Sequence, residues 1–292
     1  MKYLGYEIPL GLSASSHSPE QIKDFIAKGF THFEIGIPAA LPGAERRRIE
    51  NPYAPENIAL FAQRAQRGAE ERLVALQEER VRAVLESGLR VWSVHLPFGP
   101  GWDVAHFVES ERDAVVDSLK RVIDLTQGWG PRVYVLHGCL EPVAPEERPI
   151  RIARSIRSLR ELDEYASRYG IRVALENLPR SCLGNSAEET RAIIQAAGNR
   201  PVVFDVNHLL GETHDKFLAA LAPFVISTHL SDYDGIDERH WLPGEGIVPW
   251  KYVVTALMEA GYRGPFLFEL RAGENGPYGA DEVLAAWNSV MS

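Results

Sequence analysis

Pro201-Val-Val-Phe-Asp-Val-Asn-His208 sets a run of bulky apolar residues against an acid and a histidine. Val202-Val203-Phe204 reads as a strand buried on both faces, the pattern of a parallel sheet covered by helices. The strand ends on Asp205, and His208 follows three positions later. An ionised carboxylate at the tip of a buried strand is costly unless something charged meets it. Beside a histidine, a divalent metal is the commonest such partner. One instance is also what any polar residue closing a strand would look like, so its weight depends on recurrence.

Outward from that stretch, strands and helices alternate along the whole chain. Apolar runs predict further strands at 8–12, 32–37, 91–95, 133–137, 171–176, 225–229 and 265–269. Ser18-Pro19-Glu20-Gln21 opens a helix with an N-cap serine, proline at the first helical position and a glutamine three after the cap. Ser186-Ala-Glu-Glu189 reads as a capping box for another. Leu73, Leu76, Val81, Val84 and Leu85 fall at helical spacing before Gly88. Val115, Val116, Leu119, Val122 and Ile123 define the buried side of a further helix, and Ile152, Ile156, Leu159 and Leu162 that of the next. Long loops are expected at 38–55, 97–106 and 232–248. Eight strand–helix units predict an α/β protein, a single (β/α)8 TIM barrel over residues 1–292. No linker or composition break marks a second domain, and an open doubly wound sheet is the competing fold.

The strand ends carry the chemistry. Trp-Ser-Val is followed by His95, Tyr-Val-Leu by His137, Val-Ala-Leu by Glu176, Val-Val-Phe by Asp205, Ile-Ser-Thr by His229 and Phe-Leu-Phe by Glu269. In a closed barrel these positions converge on the C-terminal rim, where such enzymes build their sites. All six are metal-ligand types, with no Ser, Thr, Lys or Asn among them. Hard oxygen and imidazole donors predict one divalent ion, Mn, Co, Zn or Mg.

Composition narrows the rest. The 292 residues are 45% hydrophobic, enough for a sizeable core. No apolar run approaches the ~18 residues of a membrane span, and the first residues lack a signal-peptide pattern. Two cysteines, Cys139 and Cys182, make no disulfide framework, so a cytoplasmic location is expected. Lys plus Arg 31 against Asp plus Glu 40 gives −9, which argues against a broad nucleic-acid surface. A homo-oligomer is compatible with all of this.

Here a resemblance enters. Leu175-Glu176-Asn177, Phe204-Asp205-Val206-Asn207-His208, His229-Leu230-Ser231-Asp232, His240 with Pro243-Gly244-Glu245-Gly246, and Phe268-Glu269 resemble the xylose-isomerase-like barrels. That superfamily contains sugar and sugar-phosphate isomerases and epimerases, inosose dehydratases and apurinic-site endonucleases. The resemblance implies a primary metal held by Glu176, Asp205, His229 and Glu269, with Glu176 and Glu269 as the acid/base pair. It implies that His208 contacts a substrate oxygen, and that His95 and His137 support substrate or the ligand shell. Glu238 and His240 stand where the endonucleases carry Asp-x-His, a second metal position altered here by the Glu.

Weaker candidates rest on placement alone. Arg271 follows Glu269 by two and would share its face by strand alternation, poised for a substrate anion. Trp102, Phe98 and Trp241 lie in rim loops and could pack on a sugar. Glu34 is balanced between rim hydrogen bonding and a solvated turn, while Asn177 and Asp232 are expected to orient ligands. The leading expectation is a metal-dependent sugar or sugar-phosphate isomerase/epimerase acting on a small polyhydroxylated substrate. Carboxylates would transfer the proton through a metal-stabilised enediolate. An inosose-dehydratase-like polyol dehydratase and an apurinic-site endonuclease are the alternatives.

Overall fold

The computed structural model describes residues 2–3, 5–41, 68–273 and 276–292. Eight parallel strands form the barrel: β1 (Leu10–Ser13), β2 (His32–Gly36), β3 (Val91–His95), β4 (Val133–His137), β5 (Arg172–Glu176), β6 (Val202–Asp205), β7 (Val225–His229) and β8 (Phe266–Phe268). Their order around the sheet is β8-β1-β2-β3-β4-β5-β6-β7. The remaining seam, between β7 and β8, closes just past the strand ends. There the Leu230 N–H donates to Leu267 O at 2.8 Å and the Glu269 N–H to Leu230 O at 3.0 Å. The barrel is thereby nearly closed, and Glu269, one residue beyond β8, keeps its place on the rim. A hairpin of Lys2–Tyr3 with Tyr6–Glu7 precedes β1.

Strand alternation sorts the side chains into two layers. Val133, Val135, Ala174 and Val203 point inward and form a small cluster of their own inside the barrel. Tyr134, Leu136, Val173 and Leu175 point outward into the large core shared with the helices. The next inward position on β4, β5 and β6 is His137, Glu176 or Asp205, so the apolar interior gives way to titratable groups at the C-terminal end.

Nine helices follow among the described residues: α1 (Pro19–Ala27), α2 (Glu70–Ala75), α3 (Glu78–Glu86), α4 (Glu109–Thr126), α5 (Arg148–Ser167), α6 (Ala187–Ala196), α7 (His214–Leu221), α8 (Trp250–Glu259) and α9 (Ala280–Met291). The α1 capping box forms as the sequence predicts: the Gln21 N–H donates to Ser18 Oγ and the Ser18 N–H to Gln21 Oε1. At α6 only half of it forms. Ser186 Oγ accepts the Glu189 N–H, but the Glu189 carboxylate is taken by Arg148 and the Gly184 N–H. The helix expected through Leu73 to Leu85 is two helices broken at Leu76 and Gln77. Leu76 and Leu85 are 39% and 40% exposed, because Leu76 sits at a helix end and Leu85 lies about 100° around the helix from buried Val84. On α4 all five predicted apolar residues are buried; on α5 Leu159 and Leu162 are, whereas Ile152 and Ile156 are only partly so. From residue 42 onward, the expected loop at 38–55 lies outside the described residues. No helix among the described residues is long and apolar enough to cross a membrane.

Candidate metal centre at the barrel rim

Glu176, Asp205, His229 and Glu269 bring ligand atoms within 4.8 Å of one another. The first three are fully buried, and the Glu269 side chain is 29% exposed. His229 Nδ1 lies 2.9 Å from Glu176 Oε1, 3.2 Å from Glu269 Oε2 and 3.9 Å from Asp205 Oδ2. On the far side of Glu176, Oε2 meets His95 Nε2 at 3.2 Å and His137 Nε2 at 3.1 Å. β5 and β8, which carry the two glutamates at or just past their ends, are three strands apart in the ring.

Backbone placement is secured by Asn177. Its amide pairs with the Asp205 backbone, donating to Asp205 O and accepting the Asp205 N–H, each at 2.9 Å. Its carbonyl accepts from His208 Nδ1 at 2.8 Å, which leaves His208 Nε2 facing Asp205 at 3.5 Å and Glu238 at 3.9 Å. Asp232 does something else: it takes N–H bonds from Tyr233, Gly244, Val248 and the Trp250 ring and so ties down the loop at 232–248.

A cavity of about 260 Å³ opens over these groups, lined among others by His95, Phe98, His137, Arg180, His208 and Glu269. Phe98 is 48% exposed and lies over the His137 ring, centroids 4.1 Å apart. His208, Glu238 and His240 form an outer group that could also hold an ion, so the two residues expected there are joined by His208. A third such group is His95, His137 and Glu176.

Electrostatics separate these groups. Burial would raise Glu176, but His229 and His137 hold its carboxyl well below the ordinary value. For Asp205 burial wins, with His208 offsetting only part, and the carboxyl is pushed up to about 6. Asp205 Oδ1 accepts the Asn207 N–H at 2.7 Å, while Oδ2 is buried without a hydrogen-bond partner. His229 rises well above the usual imidazole value against its own burial, driven by Glu34, Glu269 and Glu176. In the outer group, burial of Glu238 is outweighed by His240, His208 and Arg180, and it drops to about 2. Three carboxylates and one imidazole around an orphaned buried oxygen fit a divalent cation with hard donors.

Two expected contacts are absent. Trp102 is buried beneath its loop with its ring N–H on Ala39 O at 2.9 Å, so it does not present a face to the cavity. Arg271 lies beyond the end of β8, where alternation no longer applies; its N–H donates to His240 O at 3.1 Å, but its side chain is exposed and is not among the cavity-lining residues. Two residues are more engaged than the sequence suggested. Glu34 is fully buried, with Oε2 accepting from Ser93 Oγ at 2.8 Å and 3.1 Å from His229 Nε2. Its position between outward-facing Phe33 and Ile35 already placed it inward by period two. Arg180, on the loop after β5, meets Glu141, Asp237 and Glu238 at the cavity mouth; nothing in its sequence neighbourhood signals this.

The family model of the xylose isomerase-like TIM barrel matches residues 25–290. An uncharacterized protein of Methanocaldococcus jannaschii is 28% identical over 185 residues, a match spanning 60% of this chain and 63% of that protein. L-ribulose-5-phosphate 3-epimerase UlaE of Shigella flexneri serotype 5b is 24% identical over 271 residues, 89% of this chain and 93% of its own. Among solved structures, 3-keto-D-glucoside 4-epimerase of E. coli superposes with a TM-score of 0.67 at 20% identity, covering 97% of this chain and 99% of that one; at this identity the likeness speaks for the fold.

Proposed function

Because the chain belongs to the xylose isomerase-like TIM-barrel family, we propose that it is a divalent-metal-dependent isomerase or epimerase of a sugar or sugar phosphate. The observation that carries this reading is the buried meeting of Glu176, Asp205, His229 and Glu269 beneath a cavity sized for a small polyhydroxylated molecule. Held by these four residues, a divalent ion supplies Lewis acidity toward adjacent carbonyl and hydroxyl oxygens, acidifying the C–H between them. The remaining work belongs to the side chains.

Glu176 has both oxygens ringed by His229, His95 and His137. Glu269 is the freer of the two carboxylates, with 29% of its side chain exposed, and is assigned the first proton abstraction. A proton delivered to the other face of the same carbon by Glu176, which would draw it from the imidazolium of His95 at 3.2 Å, inverts that carbon, which is epimerisation, with Glu269 and His95 resetting through solvent afterwards; return of the abstracted proton by Glu269 to the neighbouring carbon is isomerisation. His208, its Nδ1 tied to Asn177 O, turns Nε2 toward Asp205 and Glu238 at the cavity, where it can hold a substrate oxygen. Phe98 offers its ring to the apolar face of the sugar. The test is turnover of a panel of ketohexoses and their phosphates in heavy water. Deuterium should appear at the abstracted carbon, and Glu269→Gln should abolish that exchange. Efficient turnover with no solvent deuterium would remove the carboxylate pair from the mechanism.

A second reading, phosphoester hydrolysis of the apurinic-site endonuclease type, is favoured by one observation: the three candidate ligand groups adjoin, two of them sharing Glu176. Metal analysis of the purified chain separates the two, with one tightly held ion expected for the isomerase and three for the hydrolase.

A further inference from the structure

Three histidines of the cavity share an orientation that His229 does not. His95, His208 and His240 each direct Nδ1 to a backbone carbonyl, that of Leu96 at 2.9 Å, Asn177 at 2.8 Å and Glu269 at 3.2 Å. Each therefore keeps Nε2 toward the carboxylates. His229 is turned around: Nδ1 faces Glu176, Asp205 and Glu269, and Nε2 is met by the Glu34 side chain. A neutral imidazole carries one N–H, and the nitrogen without it is the only one that can bind a cation. A carboxylate accepts and never donates, so Glu34 holds a proton on Nε2; the proton that Nδ1 shares with Glu176 is then the one a bound cation would displace.

The local fold is arranged to bring Glu34 there. The pairing of β2 with β3 shifts register between Phe33 and Glu34, so Glu34 stands beside Ser93 rather than its regular partner. Such an irregularity re-aims a side chain. Ser93 Oγ then donates to the same oxygen, Oε2, that faces His229. Glu34 reaches across the barrel interior, since β2 and β7 are three strands apart. Its other oxygen, Oε1, is buried with no partner, so the carboxylate is not retained for its own hydrogen-bonding satisfaction. A fully buried carboxylate in a strand is costly and calls for a reason beyond packing.

We propose that Glu34, held by Ser93, is the positioning residue that commits His229 to bind a divalent cation through Nδ1. This rests on the metal reading of the site. Outer partners of this kind set ligand orientation and basicity, and their loss typically weakens metal affinity by about 10–100-fold. In Glu34→Gln the amide can rotate to donate to Nε2, which moves the ring proton to Nδ1 and blocks the ligand atom.

The experiment is Mn2+ titration by calorimetry of the wild-type chain, Glu34→Gln and Ser93→Ala, with circular dichroism as the folding check. Glu34→Gln should bind about 10–100-fold more weakly, and Ser93→Ala should be weaker by a few-fold in the same direction. Equal affinity in wild type and Glu34→Gln overturns the assignment while leaving the metal site standing. A wild-type chain that takes up no Mn2+ overturns the metal reading itself, and the assignment with it. Should the variant fail to fold, 15N NMR of the Zn2+-loaded wild type decides the matter: an Nε2–H tautomer at His229 supports the proposal and an Nδ1–H tautomer overturns it.

Discussion

In the inner group of the cavity, Glu176, Asp205 and Glu269 converge on His229, with His95 and His137 touching Glu176 and His208 facing Asp205 from outside the group, and no lysine or arginine among the described residues pairs with them. In the outer group, Glu238 stands between two imidazoles, His208 and His240, and also receives Arg180 Nη1 at 2.9 Å. The residue types are the same and the charge balance is not. Inside, burial pushes Asp205 up to about 6 and leaves one of its oxygens unpartnered, so the protein holds negative charge that it does not itself neutralise. Outside, burial of Glu238 is outweighed by His240, His208 and then the fixed cation of Arg180, and it falls to about 2. Ligand types alone do not distinguish a metal site from an ion-pair network; the distinction lies in which group lacks a counter-charge.

The largest test of this contrast is Asp205→Asn. The amide keeps the shape and removes the charge at the orphaned oxygen, so tight metal binding should fall by more than about 100-fold, beyond the usual loss for an outer partner. His106→Ala, on the loop after β3 and outside all three candidate groups, should keep its metal. Metal content after dialysis against a weak chelator measures both. Full retention in Asp205→Asn would move the site away from the inner group.

His137→Gln probes the boundary between the groups. His137 touches Glu176 Oε2 at 3.1 Å and is lowered by burial, so it acts on the carboxylate rather than beside it as a second charge. Activity should drop about tenfold, the lower end for an outer partner, with the inner ion retained. Loss of the metal along with activity would make His137 a ligand, and would merge its group with the inner group, with which it already shares Glu176.

The barrel and its inner group were readable from sequence because each rests on local pattern. Apolar runs such as Val202-Val203-Phe204 fix strands, strand alternation fixes facing, and Glu176, Asp205 and His229 simply occupy the last inward positions. What the sequence missed depends on contacts made across the chain. Trp102 turned inward to Ala39, and Arg180 found three acids from separate segments, Glu141 from one loop and Asp237 and Glu238 from another. Arg271 was misplaced for a different reason: alternation was extended past the end of β8. Glu34 was legible as inward-facing, but its role depends on the shifted pairing with Ser93, which no periodicity records.

Arg180→Met gives the smallest expected effect and the sharpest test of the comparison. The arginine binds Glu141 through Nε at 3.0 Å and both Asp237 and Glu238 through Nη1 at 3.0 and 2.9 Å, with its side chain 41% exposed. Partial exposure screens such pairs, so each is worth no more than about 1 kcal/mol. Removing the guanidinium leaves Glu238 with only His208 and His240, which converts the outer group into one that lacks a fixed counter-charge, as the inner group does. Affinity for a second ion should therefore rise by about fivefold, the equivalent of that energy, while the first ion is unaffected. Zinc-edge anomalous scattering from crystals grown in graded zinc would show the outer peak at lower metal concentration in the variant. An outer peak of equal occupancy in wild type and variant would mean that Arg180 does not compete for Glu238, and that the inner and outer groups differ by something other than internal neutralisation.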